Sequence, residues 1–344
     1  MIDVLSLLLA TLFRMANDKL IEQLNTRMGI EGAVRFDRGR GGLVRAIMTC
    51  GESRESKSTL ETPVNRGAVH LYQHGGHVTH FQPAGSRPVL FLSKDSNFES
   101  GKPIRGGIPI CFPWFAQKLD EPDASMHGLA RDRAWKFRSV EKKKDGAVEI
   151  MMVLKWNSET LSIWPFKFVL TNTVTLDAAG KMLTVSLGVK HIDTEDGSNP
   201  PFTFEAALHS YISIADIAQT GVMGLGGVKY IDKLDHFTTK QQNETCLEVT
   251  RETDRVYDDA SQTCCVVETD REVVLTKSNS GSTIIWNPWI EKSKQMRDFG
   301  DDEWRNMLCV ETANVASEAV KLTSRQGHQM NLTIACYAKN KDGK

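Results

Sequence analysis

Two side chains in this sequence have the type and setting for proton transfer. His209 lies in Phe202-Thr-Phe-Glu-Ala-Ala-Leu-His-Ser-Tyr-Ile212. Read as a strand, one face carries Phe202, Phe204, Ala206, Leu208, Ile212 and Ile214. The other carries Thr203, Glu205, Ala207, His209, Tyr211 and Ser213, a polar and aromatic face suited to a wet concavity. An imidazole titrates near neutrality and can give or take a proton there; a structural histidine bonded to a neighbour fits the pattern equally well. Glu311 sits in Met307-Leu-Cys-Val-Glu-Thr-Ala313, at the end of an apolar run, on the strand face of Met307 and Cys309. Partial burial there would lift its carboxyl toward the range of a useful base. The alternative is a strand-end glutamate turned to water.

A third segment suits anion binding. Pro103-Ile-Arg105-Gly-Gly-Ile-Pro-Ile-Cys-Phe-Pro-Trp-Phe115 is followed by Met126-His127-Gly-Leu-Ala-Arg131-Asp-Arg-Ala-Trp135. Glycines beside Arg105 let backbone approach a ligand closely. If the chain doubles back, Arg105, Arg131 and Arg133 form a cation cluster, and two guanidinium forks on one anion match phosphate geometry. Ordinary surface arginines fit the spacing too. A fourth group, His70, His74, His77 and His80, is a tempting metal set. Gly75-Gly76 breaks any helix that would align the first two, and His77 and His80 fall on opposite strand faces, so no metal site is expected there.

Composition narrows the partners. The chain has 344 residues and a formal net charge of −1, too balanced for a protein whose main partner is nucleic acid. Seven scattered cysteines, Cys50, Cys111, Cys246, Cys264, Cys265, Cys309 and Cys336, form no C-x-x-C. They read as reduced, mostly buried thiols of a cytoplasmic protein. No phosphate-binding glycine loop, dinucleotide fingerprint or G-x-S-x-G elbow is present, which disfavours phosphoryl transfer, hydride transfer and serine hydrolysis. Residues 4–13 are apolar but about half the length of a membrane span. No long exposed apolar stretch argues for association, so a monomer is expected.

The elements that must position these residues are strands. Period-two alternation runs through residues 166–176 and 182–190, and similar runs lie at 89–93, 148–156, 202–214, 272–276, 283–286, 307–313 and 328–337. Turn signals such as Asp145-Gly146 and Asn279-Ser-Gly281 separate them. Many short strands with few helical stretches imply an all-β antiparallel sandwich. Leu5, Leu8, Leu9 and Leu12, continued by Leu20, Ile21 and Leu24, predict an amphipathic helix over residues 3–28, packed on the body or dispensable. The expected organisation is a helical extension, 1–32, and one β domain, 33–340. Residues 51–66 read as an exposed polar loop.

Six motifs then occur in one order: Arg105-Gly-Gly-Ile-Pro, His127-Gly-Leu-Ala-Arg131, Phe204 with Leu208-His209-Ser-Tyr211, Asp254-Arg-Val-Tyr257, Ile285-Trp286-Asn-Pro-Trp289 and Cys309-Val-Glu311. Together they resemble the glucose-6-phosphate 1-epimerase family, the hexose-6-phosphate mutarotases of the aldose 1-epimerase superfamily. The resemblance implies a galactose-mutarotase-like β-sandwich with a sugar in its concave face and no cofactor. It places the acid/base pair on His209 and Glu311, the phosphate-binding arginines on Arg105 and Arg131, and contacts to sugar hydroxyls on His127 and Asp254. Trp286 and Trp289 would supply walls for the apolar sugar face. Thr312-Ala313 replaces the Pro-Gly often found after the family glutamate. The implied partner is a small sugar phosphate. Rival readings are a mutarotase for unphosphorylated aldoses, a non-catalytic sugar-phosphate binder, and a lyase or hydrolase on a related sandwich; hydrolysis would want two flanking carboxylates, and Asp254 is the only plausible second.

Overall fold

The computed structural model describes residues 4–51, 65–118, 121–193, 199–258 and 261–339, with only the backbone of residues 4–13. Most of the expected loop at 51–66 therefore lies outside the described residues. The strands pair antiparallel into four sheets of four, two, eight and nine strands. The nine-stranded sheet includes Phe168–Leu176 and Met182–His191, in which alternate residues are buried. Their inward rows, including Leu170, Val174, Leu183, Val185 and Leu187, form one core with Leu208, Ile212, Ile285, Leu308 and Val310 of the eight-stranded sheet. Every inward alkyl group contributes by leaving water, and the period-two pattern exists because one sheet face does so and the other does not.

The eight-stranded sheet breaks that alternation in its centre. All residues of Ser282–Asn287 and Met307–Asn314 are buried. One face of these strands packs on the main core. On the other, Ile284 and Ala313 are buried in a second cluster with Cys111 and Ala207, and Glu311 on that face is buried as well. Segment 202–214 is not one strand but three, Phe202–Phe204, Ala206–Leu208 and Tyr211–Ser213. The breaks fall where Glu205 N–H donates to Pro113 O and His209 N–H to Pro109 O. Residues 89–93 form isolated bridges rather than a strand, because Phe91 donates to Tyr211 O on one side and accepts from Gly107 N–H on the other.

The N-terminal helix spans Val4–Met28. Leu24 is buried, and Leu20, Ile21 and Met28 pack against the core. Asn25 both donates to Phe36 O and accepts from Phe36 N–H, at 2.8 Å each, as a neighbouring strand would. The second half of the helix is thus packed on the body. Among the described residues no helix is long and apolar enough to cross a membrane.

Candidate active site

Register explains how distant segments meet. Tyr211 pairs with Cys309, Cys309 with Trp286, and Trp286 with Asp254, so these four side chains form one cross-strand row. Two residues along, Glu311 pairs with Ile284, and Leu208 with Thr312, which sets His209 beside Glu311. Period-two geometry puts both rows on the same face.

His209 Nδ1 lies 3.3 Å from Glu311 Oε1, with the two side chains 8% and 1% exposed. Glu311 is the fifth residue of an eight-residue strand, so the water-facing alternative fails. Its two carboxyl oxygens and His209 Nδ1 have no hydrogen-bond partner among the described residues. Buried polar atoms are nearly always satisfied, and a cluster of orphans in one place marks a site built to receive something. The imidazole is held by its surroundings: Tyr211 stacks on it at 4.8 Å, with His127, Trp286 and Phe115 at 5.4, 6.2 and 6.4 Å.

The electrostatics push acid and base toward neutrality. Burial, then the charges of Arg131, Arg105 and Lys233, hold the His209 imidazole well below its ordinary range. Burial, then Asp254, pushes the Glu311 carboxyl well above the usual range, and Lys233 opposes this. Both shifts favour the neutral forms, a protonated carboxyl facing an uncharged imidazole.

His127 sits at φ 65° and is followed by Gly128 at φ 79°, where a Cβ would lie 2.0 Å from Phe112 O. The turn thus demands glycine after the histidine. Ala116 N–H donates to His127 Nδ1 at 3.0 Å, which leaves the proton on Nε2 as a hydrogen-bond donor.

The expected cation cluster is only partly formed. Arg105 is committed to Asp298 through Nε and Nη2, at 3.2 and 3.3 Å, and to Tyr211 Oη at 3.1 Å. Against the cost of burial, Tyr211 and then Asp298 hold the guanidinium charge firmly. Arg131 donates to Met126 O at 2.7 Å and has no carboxylate partner among the described residues. Each charge is felt at the other, as their joint effect on His209 also shows. Arg133 does not join them; it bridges Asp132 and Glu159. Asp254 is paired with Lys233 at 3.0 Å. Trp286 lines the site, but Trp289 packs on Trp304 at 4.3 Å. The Asn-Pro-Trp motif is instead a structural turn in which buried Asn287 donates to Trp304 O and Met307 O.

Sequence reasoning missed Asp298 and Lys233. A buried arginine needs a counter-ion, so a partner for Arg105 could have been demanded but not located. Lys233 follows a short strand with no distinguishing pattern. His209, Cys309 and Glu311 bring possible metal-ligand atoms within 4.8 Å of one another, but Arg105, Arg131 and Lys233 surround the group with positive charge that opposes a cation. A separate recess of about 730 Å³ lies against Arg87, Asp270 and Tyr337, where Arg87 is already paired with Glu268 and Asp270.

Residues 56–336 match the aldose 1-epimerase family. A protein of Cenchrus ciliaris named "putative glucose-6-phosphate 1-epimerase" is 32% identical over 83% of this chain and 86% of its own length. One of the same name from Escherichia coli K12 is 32% identical over 73% of this chain and 81% of its own. A mutarotase-titled crystal structure from Salmonella typhimurium superposes with a TM-score of 0.78, at 23% identity, covering 93% of this chain and all of that one, so the sandwich is of the galactose-mutarotase-like kind. This chain belongs to the aldose 1-epimerase family.

Proposed function

We propose that the chain interconverts the α and β anomers of a hexose 6-phosphate, glucose 6-phosphate first among them. The observation that carries this is the buried, otherwise unpartnered His209–Glu311 pair at 3.3 Å. A binder has no use for an acid and a base held face to face.

Glu311 takes the proton from the C1 hydroxyl while His209 protonates the ring oxygen. The C1–O5 bond breaks to the open-chain aldehyde, the C1–C2 bond rotates, and closure on the other carbonyl face inverts C1. Acid and base then exchange roles. Each placed proton transfer is worth roughly 10²–10⁴-fold. The substrate's own phosphate helps to charge the pair: a dianion beside Arg105 and Arg131 offsets two of the three positive charges that keep His209 neutral. His127 Nε2–H donates to a sugar hydroxyl, Asp254 accepts from another, and Trp286 faces the apolar side of the ring. Binding energy at the remote phosphate thus goes into orienting C1.

One observation favours a second reading, mutarotation of unphosphorylated aldoses. Arg105 is already occupied by Asp298 and Tyr211, which leaves Arg131 as the arginine of the pair without an acid. Anomer-exchange NMR on glucose 6-phosphate and on free glucose separates the two. Exchange confined to the phosphorylated sugar, and lost in His209→Asn and Glu311→Gln, supports the first reading. Equal exchange on both sugars supports the second. Exchange at the buffer rate on both overturns the enzyme.

A further inference from the structure

One charged side chain in the cleft has no place in the reaction as written. Lys233 follows the strand Lys229–Asp232, and its backbone N–H donates to Asp254 O at 3.0 Å. This extends the row Tyr211, Cys309, Trp286, Asp254 by one more strand. Lys233 Nζ lies 3.0 Å from Asp254 Oδ2, with the two side chains 19% and 18% exposed, and 5.4 Å from the Phe115 ring centroid. Phe115 in turn packs on His127 at 4.7 Å, and its N–H is held by Glu205 Oε2 at 2.9 Å. Backbone, carboxylate and ring therefore fix the ammonium from three sides.

The groups facing Glu311 come from every neighbouring strand. They are His209 and Tyr211, Cys309 on its own strand, Cys111 from Ile110–Cys111, Asp254 from Thr253–Asp258, and Lys233. Of these, Asp254 and Lys233 are joined as an ion pair. Asp254 opposes an anionic Glu311 and Lys233 favours one.

We propose that Lys233 is a positioning residue for this reaction: its fixed charge offsets that of Asp254 at Glu311, so the sugar-binding carboxylate can sit beside the base without disabling it. The inference rests on the anomerase reading of the site. Asp254 alone would accept a sugar hydroxyl at the cost of keeping Glu311 protonated. The ion pair supplies an acceptor and reduces what that acceptor's charge does to the base.

The test is the pH profile of the exchange rate at saturating sugar phosphate. Lys233→Met should move the acidic limb up by about one pH unit, the size of effect a lost neighbouring charge produces. Lys233→Arg should leave the limb in place. Lys233→Met combined with Asp254→Asn should bring it back toward wild type, since both charges are then gone. An unmoved limb in Lys233→Met overturns the proposal, including the case where only KM rises and the lysine merely touches sugar. A double variant displaced as far as the single one overturns it too. The same comparison made without substrate, by NMR titration of a labelled Glu311 carboxyl, reads the lysine's effect even if wild type catalyses no exchange. That last result would sink the anomerase reading and leave the electrostatic claim to be judged on the titration.

Discussion

The molecule buries two groups of histidines and treats them differently. In the first, His77 donates through Nε2 to Gly106 O and His74 to Lys102 O, both at 2.7 Å, while His70 and His80 stack at 4.6 Å. Each ring of that group props a loop or fills a layer, and His77 supports the backbone next to Arg105. In the second, His209 sits in an aromatic box with Nδ1 aimed at a carboxyl that has no other partner. Four histidines within eleven residues are spent on the fold; His209, with His127 beside it, faces the unpartnered carboxyl. Burial alone does not distinguish them. What distinguishes them is what the unmet atom faces: His77 Nδ1 also lacks a partner, but that ring is anchored through Nε2 on Gly106 O, whereas His209 Nδ1 faces a carboxyl whose two oxygens are unpartnered as well.

The largest effects should come from breaking the second group. His209→Asn and Glu311→Gln should each cut anomer exchange on glucose 6-phosphate by roughly 10²–10⁴-fold, measured by exchange NMR. Their melting temperatures should stay level or rise. A glutamate whose folded pKa is raised costs stability above its unfolded value, near 4.5, so a neutral isostere removes a cost at pH 7. His77→Ala should do the reverse. It strips a donor from Gly106 O and empties a fully buried site, for a loss of about 2–4 kcal/mol by denaturant titration. If Glu311→Gln melted as low as His77→Ala, the distinction between the two groups would fail.

That distinction was only half visible in the sequence. Alternation located most strands, because a one-sided sheet writes its burial at period two, and it put His209 with Tyr211 and Glu311 with Cys309. It could not say that the two strands align at Tyr211–Cys309, since register depends on partners far along the chain. Nor could it show that Glu311 is mid-strand and buried, because that burial depends on neighbours far along the chain. The sequence named both arginines, but their different states were hidden. Asp298 lies 193 residues from Arg105, in a turn with no pattern of its own. Trp289 followed Trp286 in the motif, yet the helix that starts there rotates it onto Trp304.

The arginine pair repeats the comparison at intermediate size. Arg131 spends one bond on a carbonyl, so its charge remains available to a ligand. Arg131→Leu should raise KM for glucose 6-phosphate by about 10- to 100-fold, the worth of a charge-assisted contact, with any exchange on free glucose unchanged. Arg105 is instead part of the fold. Arg105→Leu strands Asp298 and Tyr211, and should lower stability by about 3–5 kcal/mol along with activity on any sugar. Steady-state kinetics on both sugars, beside thermal melts, separate a ligand arm from a structural arm. Equal behaviour of the two variants would remove Arg131 as the phosphate contact.

The smallest effect sharpens the first histidine group alone. Burial holds His70 and His77 down to about 3 and His80 to about 4, so all three stay neutral in the fold while the unfolded chain protonates near 6.5. The unfolded state then binds more protons throughout that interval, and stability rises with pH across it. The contribution is intact above about 6.5, falls as pH drops, and is fully lost only below the folded values. The slope is at most about 1.4 kcal/mol per pH unit for each histidine, and less for His70 and His80, which keep some contact with water. His80→Gln should flatten the slope between pH 6 and 4 by up to that amount, read from urea midpoints at each pH, and leave anomer exchange at neutral pH untouched. An unchanged slope would mean that the His70–His80 stack opens and takes up its proton without unfolding, so that this part of the scaffold is looser than its packing implies.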